Sequence, residues 1–346
     1  MLSRRALVFV NNEFHYICRR SHFSEGIVDP SSENNPAHRS NGSLLPDVAA
    51  LDFPCTDYDT MLMYYTQRVL SNQNDALLAM AGIARRVSQK MKCSFFQGVP
   101  TAAFDVFIPF SAQNSILRRR DQFPSYTWAG WIGELVGDTT IDPEKMNNWL
   151  SNRTWIIWYK RSPAGVINLV WDVMANEDFP VKDSDYVGYR TRSQFGSRYS
   201  VTSTRTWPTE TLHFERYLPN YPLLQFWTLA VWFSINNFEV FTAMASIVDR
   251  KGNKRGYLQM DGFEDDEFFQ PNARYEFIII SESYSRDYDC SCKKSSYDPE
   301  AQISYNTIVL EWSGGVAERR GFGILCHCAL KNAHPPSPCW KEIVLA

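Results

Sequence analysis

Two helices joined by a short polar turn are predicted by the spacing of apolar residues between positions 56 and 91. In the first helix, apolar residues recur at helical spacing at Tyr58, Met61, Leu62, Tyr65 and Val69. In the second helix, steps of three and four residues place one apolar stripe on a single face, formed by Leu77, Met80, Ala84, Val87 and Met91. We expect this helix pair to be the platform on which the rest of the chain is organised.

The ends of the two helices carry capping signals. Thr56 lies three residues before Asp59, which matches a capping box and predicts that the first helix begins there. The polar turn at residues 71–75 supplies side chains that can cap the second helix. Gly82 interrupts the second helix at a cost of about 1 kcal/mol relative to alanine, so we expect it to pack closely against a neighbouring element.

The remainder of the chain has the pattern of short strands. An N-terminal hairpin is predicted at residues 6–10 and 14–18, and residues 19–52, rich in Ser, Asn and Pro, are expected to form a surface loop. Residues 175–222 are polar and show weak periodicity. The expected hairpin turns after residue 150 are at residues 162–165, at Asn236-Asn237, at residues 249–256 and at Gly314-Gly315.

Short strands separated by turns, with no helices between them, are typical of an antiparallel sheet. The sequence therefore predicts an α+β fold, with a β-hairpin and a short helical region at the N-terminus followed by a mainly antiparallel β-sandwich or barrel. We expect two domains. Residues 1–135 hold the hairpin, loop, helix pair and an aromatic segment, and residues 136–346 form the β-rich part.

Composition narrows the class of protein. The 346-residue chain is 44% hydrophobic with a formal net charge of −3, so it has material for a core and no electrostatic reason to favour nucleic acid or an anionic membrane. The most apolar stretch, residues 223–235, contains Gln225 and Thr228 and is too short to span a bilayer. Without a recognisable signal peptide, and with eight dispersed cysteines, the chain is expected to be cytoplasmic.

The sequence contains no motif for phosphate binding, dinucleotide binding, serine hydrolysis or zinc proteolysis. Cys326, His327 and Cys328 could in principle join Cys290 and Cys292 in a zinc site. In a strand, however, the two sulfurs of a Cys-x-Cys sequence point to one face and the histidine to the other, so half-buried structural thiols are the second interpretation. We expect no metal and no cofactor.

Charged residues provide two further candidates. Arg68 and Asp75 flank the predicted helix turn, where we expect a structural ion pair, with a binding role as the alternative. Glu311 lies among apolar residues of a predicted strand, where a carboxylate could act as a general acid. The structural interpretation is a pairing with Arg319 or Arg320 across the following turn.

The aromatic segment FPSYTWAGWIGEL, residues 123–135, offers two interpretations. Tyr126 and Trp128 share one face of an extended chain and Trp131 follows between glycines, which is typical of an aromatic strand packed in a core. The alternative is a ligand site lined by these rings. The basic run at residues 118–120 just before it is expected to be a solvated face, or else an anion site.

Several stretches of the sequence are similar to one known family. They are residues 2–9 with Cys18 and Ser24-Glu25, residues 65–71 with 75–77 and 82–83, residues 123–133, and residues 305–312, 317–319 and 340–343. Together they resemble the second half of the fungal heterokaryon incompatibility (HET) domain and the β-rich tail found in many such proteins. The resemblance covers residues 1–135 strongly and residues 300–346 moderately.

The sequence departs from that family at specific places. Tyr126 and Thr127 stand where the family usually has Trp and Ser. The family's N-terminal half, with its LSYxWG-like strand and WIDxxCIxQ-like segment, is not found, so we expect a truncated form that begins where that half would end. Any catalytic residues of the family would lie in that half, and none is assigned to this chain.

The resemblance implies a function in fungal non-self recognition, where HET proteins trigger programmed cell death through contacts with protein partners of the incompatibility system. Two alternatives stay open. The family's distant similarity to TIR domains implies an NAD-consuming hydrolase, an argument that rests on fold analogy alone. The 11 Trp and 17 Tyr residues suggest a carbohydrate-binding β-sandwich.

Overall fold

The computed structural model describes residues 5–10, 13–18, 22–24, 54–91, 93–101, 104–113, 117–137, 156–170, 207–215, 218–239, 242–262, 268–270, 273–284 and 303–346. The predicted N-terminal hairpin is confirmed, with β1 (Arg5–Val10) antiparallel to β2 (Glu13–Cys18). A third strand, β3 (His22–Ser24), pairs with β2 inside the segment expected to be loop. The rest of that segment up to residue 53 lies outside the described residues.

The helix pair is confirmed. Helix α1 (Pro54–Thr66) is followed by a 3-10 turn (Gln73–Asp75) and then by α2 (Ala76–Met91). The Asn72 side chain caps the 3-10 turn by accepting a hydrogen bond of 3.1 Å from the Asn74 N–H. The apolar stripe faces inward, because Met80 and Val87 are buried.

Three details of the helix prediction are wrong. Helix α1 begins at Pro54, whose fixed φ suits a first helical position, so Thr56 lies within the helix and is not its cap. The helix ends at Thr66, which leaves Val69 95% exposed in the turn. Gly82 is exposed on α2, so it makes no close packing with a neighbour; the inward stripe of α2 lies on another face.

Short elements connect the helices to the large sheet. They are β4 (Phe95–Phe96), β5 (Val99–Pro100), α3 (Phe104–Phe107), β6 (Phe110–Ala112), β7 (Arg118–Arg119), a 3-10 turn (Trp128–Gly130), β8 (Trp131–Ile132) and β9 (Leu135–Gly137). The aromatic segment is therefore not one extended strand. Trp128 sits in a tight helical turn, although the expectation that Tyr126 and Trp128 are buried is confirmed.

Among the described residues, nine strands form one mainly antiparallel sheet. They are β10 (Tyr159–Arg161), β11 (Ile167–Leu169), β12 (Leu223–Glu239), β13 (Met244–Val248), β14 (Lys254–Met260), β15 (Arg274–Tyr284), β16 (Ile303–Ser313), β17 (Val316–Cys326) and β18 (His334–Leu345). Six of them close on themselves in the order β12-β13-β14-β17-β16-β15, because β15 pairs back to β12. The predicted fold class is confirmed.

The prediction of a turn at Asn236-Asn237 is wrong. Strand β12 continues through these residues to Glu239, and the chain reverses between Glu239 and Met244. The register shifts between Asn236 and Glu239, and Asn237 has a φ of +53°, so the two asparagines form a bulge in the strand instead of its end. The turns predicted at residues 162–165, in the segment before β14 and at Gly314-Gly315 are confirmed.

The interior of the six-strand ring is filled by side chains. Phe233 and Phe277 are fully buried with ring centroids 6.0 Å apart. The side chains of Ile247 and Thr307 pack closely against Gly323, which has no side chain of its own. A Cβ at this position would lie 3.1 Å from Ile247 Cδ1 and from Thr307 Oγ1. The ring is therefore a packed core.

The helical region and the ring share one continuous core. Trp158 bridges them, because its ring centroid lies 5.3 Å from that of Phe104 and 4.4 Å from that of Phe226 on β12. One cluster of buried residues extends from Cys55 to Leu345. The division at residue 135 stays a prediction, and the packing across it fixes the helix pair against the sheet.

Candidate functional site

A tight turn at Gln97-Gly98 faces the helix pair. Both residues have positive φ, 50° and 81°, as a two-residue hairpin between β4 and β5 requires. The Gly98 carbonyl accepts hydrogen bonds from Tyr58 Oη at 2.6 Å and from Trp128 Nε1 at 2.9 Å. These two bonds hold the turn against α1 and against the aromatic segment.

An open cavity of about 350 Å³ lies between this turn and α2, and we call it the α2 trough. It is lined by Tyr58, Leu77, Met80, Ala81, Ala84, Arg85, Ser88, Phe95, Gln97, Gly98 and Trp128. Helix α2 contributes positions from Leu77 to Ser88, which span about 16 Å at 1.5 Å per residue. Tyr58 and Trp128 are buried and form the inner wall of the trough, away from solvent.

Two further ring contacts stabilise the walls of the trough. The Tyr58 ring packs edge-on against Phe95 with centroids 5.2 Å apart. The Tyr65 ring packs edge-on against Trp128 at 5.6 Å, and Tyr65 Oη donates to the Ala76 carbonyl at the start of α2. Because these rings tie both helices to the aromatic segment, the trough is a fixed feature of the fold.

The electrostatics of the α2 trough are simple. Burial raises the pKa of the Tyr58 phenol well above its ordinary value, so this hydroxyl stays protonated and acts as a donor to Gly98. Ser88 Oγ is likewise engaged, donating to the Cys93 carbonyl. Arg85 is the charged residue of the lining, and it is exposed at the rim. The trough therefore combines apolar walls with one cation, an arrangement suited to binding an apolar group beside an anion.

The predicted aromatic site is only partly assembled. Trp128 lines the trough, but Tyr126 and Trp131 do not. Tyr126 is fully buried with its hydroxyl donating to the Pro222 carbonyl at 2.8 Å, and Trp131 Nε1 donates to the Ser125 carbonyl at 2.8 Å. Both rings are core residues, which agrees with the structural interpretation of the segment.

The predicted ion pair between Arg68 and Asp75 is not formed. Both side chains are exposed, and no salt bridge joins these two described residues. They lie in the turn before α2 and outside the lining of the trough. Burial raises the pKa of Tyr65, while Arg68 opposes this shift and Asp75 adds to it.

Glu311 is paired as the structural interpretation predicted. Its carboxylate lies 3.2 Å from Arg320 Nε, with 44% of the Glu311 side chain exposed. Arg319 instead is fully buried and binds Asp261 at 2.7 Å. The Arg319 guanidinium also stacks 3.5 Å from the Phe110 ring centroid and donates to the Ile108 carbonyl.

The basic run at residues 118–120 is only partly the solvated face that we expected. Arg118 is exposed, but Arg120 is buried and donates to the carbonyls of Ala129 and Trp131 and to Gln73 Oε1. The physical reason is that the tight turn at residues 128–130 leaves carbonyls that need donors, and a guanidinium supplies several.

The zinc alternative rests partly on Cys290 and Cys292, which lie outside the described residues. Cys326 is buried with its sulfur 3.2 Å from that of Cys328. Cys328 is disulfide-bonded, which corrects the interpretation of this cysteine as a thiol. Among the residues with described side chains, no group of three or more His, Cys, Asp or Glu is placed to hold a metal ion.

Sequence reasoning missed the Gln97-Gly98 turn. The signal was present, because a glycine after a polar residue lies between the apolar pairs Phe95-Phe96 and Val99-Pro100. What the pattern does not contain is the approach of this turn to α2, which depends on the tertiary contacts of Tyr58 and Trp128.

None of the described helices is long and apolar enough to cross a membrane. No protein-family model matches this sequence, and comparison with curated proteins and with solved structures finds no match either. The similarity to the HET family is therefore an expectation from the sequence, and function has to be argued from the geometry of the α2 trough.

Proposed function

We propose that this protein is a signalling module of the heterokaryon incompatibility type, which takes part in fungal non-self recognition and programmed cell death by binding a protein partner in the cytoplasm. The observation that carries the proposal is the α2 trough, an apolar groove about 16 Å long between α2 and the turn that the Gly98 hydrogen bonds fix to Tyr58 and Trp128. Grooves of this kind along a helix are a recurring way to bind a protein segment.

The location of the trough agrees with the resemblance. Residues 65–71, 75–77 and 82–83, which resemble the HET family, form the end of α1, the turn and the first part of α2 beside the trough. Trp128, from the aromatic stretch that also resembles the family, lines it. Some of the stretches that suggested the family thus lie in the same part of the fold as the groove.

The proposal is tested by survival of fungal cells after fusion of two incompatible strains. A chain that binds a partner of the incompatibility system should compete with other proteins for that partner, so its expression should raise survival. Ala84→Trp, which fills the trough, should remove this effect. Ala79→Trp is the matched control, because Ala79 is exposed on α2 and does not line the trough.

Two results would contradict the proposal. Unchanged survival on expression of the wild-type chain would remove the role in incompatibility. Thermal unfolding will verify that the wild type and Ala84→Trp are both folded. If both then have the same effect on survival, the function does not depend on the trough.

A further inference from the structure

Positive charge is concentrated on α2 beside the trough. The helix carries Arg85, Arg86 and Lys90, all exposed, and its sequence contains no Asp or Glu. Of the three, only Arg85 lines the trough. A ligand that enters this groove therefore meets a cation at the solvent rim.

Arg85 is available to such a ligand. No described carboxylate forms a salt bridge with its guanidinium, and the side chain is exposed. Arginine binds carboxylates through two parallel hydrogen bonds when both oxygens are presented to it. The charge on this rim thus favours an acidic group over a neutral or basic one.

An apolar side chain is exposed on the same side of α2. Leu78 is 73% exposed and lies seven residues, or two helical turns, before Arg85, so the two residues share one face. The neighbouring positions Ala81 and Ala84 are small, which leaves the space of the trough unfilled by α2 itself.

From these three features we infer that the partner presents a short acidic amphipathic segment, with a bulky apolar side chain in the trough and an Asp or Glu paired with Arg85. The cavity volume of about 350 Å³ lies at the small end of ligand pockets, which fits one or two large side chains of a peptide. The inference rests on the proposed function, since it names the chemistry of the partner at the same groove.

The test is selection of a displayed library of random short peptides on the purified full chain, with Ala84→Trp used for counter-selection. Peptides that bind the wild type are expected to combine a large apolar residue with Asp or Glu at a fixed spacing. Affinity for Ala84→Trp should be at least about tenfold weaker, a difference of about 1.4 kcal/mol.

Charge reversal at the rim supplies the decisive control. Arg85→Glu should shift the selected peptides from Asp and Glu to Lys and Arg, whereas Arg86→Glu, next in sequence but outside the lining, should leave the acidic preference unchanged. Both residues are exposed, so both variants are expected to fold, as thermal unfolding will verify.

The outcomes separate the two claims. The inference would be overturned by selected peptides that need the open trough but lack acidic residues. It would also be overturned if Arg85→Glu still selected peptides with Asp and Glu. Either result would leave the proposed function standing. Peptides that bind Ala84→Trp as well as the wild type, or no enrichment at all, would overturn the inference as well. Loss of the survival effect in the fusion assay is the separate result that would remove the proposed function.

Discussion

Arg319 and Arg320 are neighbours in the sequence but lie in opposite environments. Arg319 is fully buried against Asp261, whereas Arg320 pairs with the half-exposed Glu311. Burial raises the pKa of Asp261 and the charge of Arg319 opposes that shift. The two pairs therefore differ in what is lost when one partner is removed, because a buried carboxylate left alone is far from water.

Arg319→Leu is expected to lower the free energy of unfolding by about 3–5 kcal/mol, since it leaves the Asp261 carboxylate buried without its cation. Glu311→Gln is the control and should change it by no more than about 1 kcal/mol, as is usual for exposed pairs. Urea unfolding measures both. Equal losses in the two variants would contradict the assignment of Arg319 as the structural arginine.

His334 gives the protein a pH dependence of known sign. Burial lowers the pKa of His334 below 6.5, Arg274 and Arg250 add to this, and Asp249 opposes it. The folded state therefore prefers the neutral ring, which is within 3.2 Å of Ser234 Oγ. The stability from this group is complete above the unfolded pKa of about 6.5 and is lost as the pH falls through the lower folded value.

We expect the melting temperature of the wild type to fall between pH 6.5 and pH 5 more steeply than that of His334→Gln, which cannot take up the proton. Differential scanning calorimetry across this range measures the slopes. The same slope in both proteins would show that His334 has the same pKa in the folded and unfolded states, and would contradict the lowered pKa.

At the scale of elements, the turn of β4 and β5 determines the shape of the α2 trough. Gly98 has a φ of +81°, and a Cβ there would lie 2.8 Å from Leu77 Cδ2 and 2.8 Å from Trp128 Nε1. Gly252 has nearly the same φ, +79°, but nothing lies within 4 Å of its Cβ position. Substitution of Gly252 therefore tests backbone strain alone, whereas substitution of Gly98 tests the same strain together with steric contact.

Gly252→Ala should destabilise the protein by about 1–2 kcal/mol, the usual cost of a left-handed backbone for a residue with a Cβ. Gly98→Ala should cost clearly more, because the same strain is added to contacts with Leu77 and Trp128. Urea unfolding of the two variants provides the comparison. Equal costs would mean that the turn does not press against α2.

Much of the element order could be predicted from the sequence because local pattern determines it. The stripe from Leu77 to Met91 identifies α2, and Gly314-Gly315 identifies the hairpin of β16 and β17. The turn at Asn236-Asn237 was predicted wrongly, because neighbours on both sides of β12 extend the strand and convert a turn signal into a bulge. That outcome depends on pairing with distant strands, which a local pattern does not contain.

At the scale of the whole molecule, the candidate site depends on three separate parts of the chain. Trp128 was singled out from the sequence, but Tyr58, Gly98 and Ala84 join it only after the helix pair and the β4–β5 turn pack together. The helix stripe predicted which side of α2 faces inward, whereas the space left between α2 and the turn follows from tertiary packing. The fold was thus more predictable than the site.

The central claim is that the protein acts by binding a partner in the α2 trough, and site-specific crosslinking in cells tests it most directly. A photoreactive phenylalanine analogue in place of Ala81, an exposed residue of the lining, should form an adduct with a partner when incompatible strains fuse. The same analogue in place of Ala79, exposed but outside the lining, should form none, and Ala84→Trp should abolish the adduct at position 81. No adduct at position 81, or equal adducts at positions 79 and 81, would contradict the account.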